Sequence, residues 1–81
     1  MIRTIEVTKE HISKGKPTRC DACPVALAFQ DAGFKRVNVR HRSADIDGNH
    51  VSLPPEAGYF ISSFDNGTVP LSPFTFLIEL P

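Results

Sequence analysis

Apolar and polar positions first alternate at Ile2-Arg3-Thr4-Ile5-Glu6-Val7. This is an imperfect period of two, rich in β-branched residues, and it predicts an opening strand. Thr8 offers an N-cap, and Gly15 a left-handed stop, for one short turn through Glu10, His11 and Ile12. Lys14 to Arg19 is polar and contains Gly15 and Pro17, which predicts a loop. The period then becomes helical, with Val25, Ala28, Phe29 and Ala32 on one stripe. Pro24 fits the first position of that helix, Cys23 or Asp21 precedes it, and Gly33 supplies its end.

Phe34 to Arg42 returns to alternation and predicts a second strand, with Val37 and Val39 on one face and Arg36, Asn38, Arg40 and Arg42 on the other. Asp45, Asp47, Gly48 and Asn49 predict a turn, Asp-Gly being a strong hairpin signal, followed by a short third strand through His50, Val51 and Leu53. Pro54 and Pro55 open a second long helix whose stripe is Leu53, Ala57, Phe60, Ile61 and Phe64, and Asp65-Asn66-Gly67 closes it. Val69 to Pro73 reads as an extended connector. Phe74, Phe76, Ile78 and Leu80 then oppose Thr75, Leu77 and Glu79, the cleanest strand pattern in the chain.

The predicted order is β-α-β-β-α-β, an α+β single domain over residues 1–81 with two helices on one face of a mainly antiparallel sheet, ferredoxin-like or related. Composition agrees: 81 residues, 41% apolar and 22% charged, describe one small globular core rather than a disordered chain. Nine Lys and Arg balance nine Asp and Glu, which argues against wrapping nucleic acid by bulk charge but leaves room for a local basic stripe. The longest apolar run, Pro24 to Phe29, falls far short of the ~20 residues of a membrane helix, and the N-terminus lacks the pattern of a signal peptide. The expectation is therefore a cytoplasmic protein with no membrane association. So small a domain buries a modest share of its surface, and a homodimer is expected on that ground.

Cys20-Asp21-Ala22-Cys23 admits three readings. A redox pair gains from the helix that follows, although a loop rather than a strand leads into it. Zinc would take Cys20 and Cys23 with two of His11, His41 and His50, but His41 and His50 are spaced more widely than the roughly three to five residues of zinc fingers. Structurally, Cys23 caps or buries at the helix start and Cys20 is a small loop residue, as befits free cysteines, which mostly behave as buried hydrophobes. Arg36, Asn38, Arg40 and Arg42 are the candidate surface for a protein partner, or for phosphate, nucleotide or nucleic acid, with Lys35 and His41 nearby. Asp45, Asp47 and Asn49 lack the frame of a calcium loop. A glycine-rich phosphate loop, a nucleophile elbow and a supported pair of carboxylates are all missing from the sequence, so the expectation is a non-enzymatic protein without cofactor.

At Cys23-Pro24-Val25-Ala26-Leu27-Ala28, and again at Phe60-Ile61, Phe64-Asp65-Asn66-Gly67 and Pro73-Phe74-Thr75-Phe76, the chain resembles a family of small uncharacterised proteins of tailed bacteriophages. These motifs are core positions and punctuation, and they bring no catalytic residue. The resemblance implies a phage accessory protein in the cytoplasm of a bacterial host, binding a host macromolecule in takeover or in countering defence.

Overall fold

The computed structural model describes residues 1–67 and 71–80. Eight elements follow one another: β1 (Ile2–Val7), α1 (Lys9–Lys14), α2 (Pro24–Asp31), β2 (Val37–Val39), β3 (Ser43–Ile46), β4 (Asn49–Ser52), α3 (Pro55–Asn66) and β5 (Phe74–Glu79). The class is α+β, with antiparallel strands. The connector expected over Val69 to Pro73 lies partly outside the described residues.

Two features differ from the four-strand reading. The segment Phe34 to Arg42 is not one strand: β2 covers only Val37–Val39, and the chain reverses at His41 and Arg42, where the Arg40 N–H donates to the Ser43 carbonyl at 2.8 Å. Asp45 consequently belongs to an extra strand, β3, and the Asp-Gly turn shrinks to Asp47 and Gly48. Both turn residues have positive φ (48° and 85°), the geometry that matches a two-residue hairpin loop to the twist of its strands. Nor do the strands form one ferredoxin-like sheet. β1 pairs with β5, and β2-β3-β4 form a separate meander. β4 runs beside β5 without laddering, and a groove lined by His50, Ser52, Glu79 and Leu80 separates them.

The apolar faces of both sheets turn to the helices and share one core. Alternation decides which side chains enter it: Ile5 and Val7, Val37 and Val39, Ala44 and Ile46, Val51, Phe76 and Ile78 are buried, while their neighbours along each strand face out or lie part-covered. α2 packs on both β1 and β2, which its alanines allow by keeping Cβ surfaces low. A chain of aromatic contacts then ties α2, β5 and α3 together. It runs from Phe34 through Phe29, Phe76, Phe74 and Phe60 to Phe64, with ring centroids 4.7–6.5 Å apart. Each such pair contributes about 0.5–1.5 kcal/mol beyond area burial.

Thr8 caps α1 as expected. His11 completes a capping box by accepting the Thr8 N–H on Nδ1 at 2.9 Å, which leaves Nε2 to donate to Asp31 of α2 at 2.5 Å. The buried His11 thus clips α1 to α2. Gly15 ends α1, but not in the left-handed conformation expected, because its φ is −67°. Its glycine character has another cause: a Cβ there would lie 2.6 Å from the Pro24 ring, where the loop crosses the start of α2. Among the described residues no helix is long and apolar enough to cross a membrane.

Candidate functional site

The turn Arg40-His41-Arg42 is a basic feature of the surface whose backbone is held on several sides. Three contacts hold it. Arg40 closes the reversal through Ser43, and the Leu53 N–H donates to the Arg42 carbonyl at 2.9 Å. The third is steric: α3 rests on the turn at Gly58, where a Cβ would sit 2.6 Å from the His41 carbonyl oxygen. Only a residue without a side chain lets the helix come this close.

This geometry redistributes the four expected binding residues. Arg36, Asn38 and Arg40 follow the outward phase of β2, and all three are exposed. Arg42 is not with them. It lies in the turn and lines a groove of about 590 Å³ between the turn and α3, together with His41, Ser52, Leu53, Pro54, Pro55, Gly58, Tyr59 and Ser62. The strand-wide alternation that grouped it with Arg40 ends where the backbone reverses.

The outer face of the meander is polar and in register. Asn38 stands opposite Asp45, and Asp45 opposite His50. Asp45 receives the Arg40 guanidinium at 3.2 Å and His50 Nδ1 at 2.9 Å, so part of the basic stripe is locally neutralised. At the hairpin end of the meander, Asp47 Oδ1 accepts the N–H groups of Lys35 (3.0 Å) and Arg36 (2.7 Å), fastening the entry of β2 to the β3–β4 hairpin. The sequence marked Asp47 as a turn residue; the two backbone bonds require knowing that residues 35 and 36 lie beside that turn.

On the other side of the turn is a second groove of about 460 Å³, lined by Thr18, Arg19, Cys20, Cys23, Val39, Arg40, His41, Ile61 and Asp65. Asp65 organises it, accepting the Thr18 N–H at 2.9 Å and standing 3.7 Å from His41 Nε2. Thr18 is held at φ 60°, strained for a β-branched residue. The CxxC motif contributes Cys20, exposed, and Cys23, buried, both as free thiols. Cys23 occupies the N-cap of α2, its Sγ accepting the Ala26 N–H at 3.4 Å. Burial pushes the Cys23 thiol up, against a smaller downward pull from the Ala26 and Val25 N–H groups, so it is a poor thiolate.

The zinc alternative does not assemble. Cys20, Cys23 and His41 share the second groove, but His50 is bound to Asp45 on the meander and His11 is locked between Thr8 and Asp31. Among the described residues no group of three or more His, Cys, Asp and Glu is placed to hold a metal ion. Compared with protein-family models, with curated proteins and with solved structures, the chain gives no match.

Proposed function

We propose that this chain is a non-catalytic binding module, a phage accessory protein that engages a host bacterial protein in the cytoplasm. The observation that carries the reading is the outer face of the meander. Arg36, Asn38 and Arg40 stand there in phase, with Arg40 and His50 both anchored on Asp45, while the reverse of the same three strands is sealed into the core. Side chains fixed before docking lose less conformational freedom on binding than free ones, which is the benefit of a pre-arranged polar interface. Arginine in such a setting is a frequent contributor of interface energy.

The test is capture from bacterial lysate followed by binding measurements with the captured protein after its purification. The variant Arg36→Ala/Asn38→Ala/Arg40→Ala removes exposed side chains only and leaves the core as it is. It is expected to melt with the wild type and to lose at least about tenfold in affinity, the effect of about 1.4 kcal/mol of interface energy. Unchanged affinity for the same partner would show that this face is not the docking surface.

A further inference from the structure

The groove between the Arg40–Arg42 turn and α3 has a chemistry of its own. Its floor and one wall are apolar, made by Leu53, Pro54, Pro55 and Gly58. Tyr59 projects beside it with 75% of its surface exposed, a ring held on a helix rather than on a loose loop. Ser52 and Ser62 add hydroxyls. The ionisable residues in the lining are His41, Arg42 and Tyr59, and no Asp or Glu is among them. Arg42 is in no salt bridge among the described residues, unlike Arg40, which faces Asp45, and Arg19, which faces Asp21. The neighbouring groove is mixed in charge, because Asp65 sits within it.

An available guanidinium, an imidazole, an open aromatic ring and hydroxyls around an apolar floor complement a molecule with an anionic end and a flat, polar-edged ring. We infer that this groove binds a free nucleoside phosphate, its base on the Tyr59 ring and its phosphate held by Arg42. Arg favours phosphate because its planar fork matches two oxygens at once, and aromatic stacking accepts any base. The volume, about 590 Å³, falls within the roughly 300–1,000 Å³ of small-molecule sites. The balanced net charge favours a single small anion over a long polyanion. The turn is already pinned through Gly58, Ser43 and Leu53, so the backbone that carries Arg42 needs little ordering when the ligand arrives.

Isothermal titration of the full chain with AMP, GMP, CMP and UMP provides the test, with adenosine, inorganic phosphate and a twelve-nucleotide oligo(dT) as the other arms. At least one nucleoside monophosphate is expected to bind. Adenosine and phosphate alone are each expected to bind at least about tenfold more weakly, since each forgoes either the charged contact or the stack. Arg42→Ala and Tyr59→Ala, both at exposed positions, should each weaken that binding by about tenfold with the melting temperature unchanged, whereas Arg36→Ala should leave it intact. No heat with any of the four nucleotides, or phosphate binding as tightly as they do, would overturn the assignment. Tighter binding of the oligonucleotide than of the monophosphates would overturn it in favour of a nucleic-acid surface. Because the variants differ from those of the meander face, failure here leaves the protein-docking reading standing, and the reverse.

Discussion

Replacing Gly58 by Ala sets two opposing effects against each other. In an ordinary helix interior the change stabilises by about 1 kcal/mol, since glycine gives up more backbone freedom on folding than alanine. Here the added methyl would lie 2.6 Å from the carbonyl oxygen of His41, closer than the 3.0 Å that real Cβ contacts respect. The obstacle is backbone, tied down by the Arg40–Ser43 and Leu53–Arg42 hydrogen bonds, and no rotamer relieves it. α3 and the turn must separate by at least about 0.4 Å. Overpacking of this kind costs about 1–3 kcal/mol, so the net change is a loss of about 1 kcal/mol. In a domain of 81 residues this lowers the melting temperature by about 4–8 °C. Urea denaturation followed by circular dichroism measures the difference, and hydrogen exchange locates it: the amides of Arg40 and Leu53, which hold the turn, should exchange faster. A gain of about 1 kcal/mol, as propensity alone dictates, would refute the close approach.

Two further outcomes follow from the hydrogen bonds and the thiols. Asp47→Ala leaves the exposed N–H groups of Lys35 and Arg36 to water and should cost about 0.5–1.5 kcal/mol in urea denaturation, with Asp47→Asn retaining much of the stability because one acceptor oxygen remains; no measurable loss for the alanine would dismiss the role. With iodoacetamide at pH 8, Cys20 should react first and Cys23 only after urea is added. Because burial raises the Cys23 pKa in the fold, the unfolded chain loses that proton first, near its ordinary value of about 8.5. Wild-type stability should therefore fall as pH rises through and beyond that value, and Cys23→Ala should show a shallower fall; identical profiles for the two would contradict the burial effect.

Where one residue class had one local job, the chain could be read directly. Thr8, Pro24, Pro55 and Gly67 mark helix ends that the structure confirms, and strict alternation places Phe76 and Ile78 in the core. β3 escaped because Ser43-Ala44-Asp45-Ile46 offers only an alanine and an isoleucine to the core, and alanine carries little strand preference. Asp45 resembled a turn residue because its partners, Arg40 and His50, lie on neighbouring strands whose register no local pattern records. The groove beside α3 was invisible for a related reason. It requires Arg42 from a turn and Tyr59 from a helix, brought together by a glycine whose significance is the atom it lacks. Nothing in the helical pattern around Gly58 announces that no larger residue fits there without displacement.

The pairing of β1 with β5 joins the opening segment to the last described strand, with Met1 and Leu80 exchanging hydrogen bonds across 79 positions of sequence. Ile5 and Val7 therefore acquire their strand neighbours, Phe76 and Phe74, only once β5 is present. Folding must close the widest loop of the described chain before β1 gains its strand partner. Deleting β5 should thus abolish cooperative folding altogether instead of trimming an edge, because it takes the ladder of β1 with it.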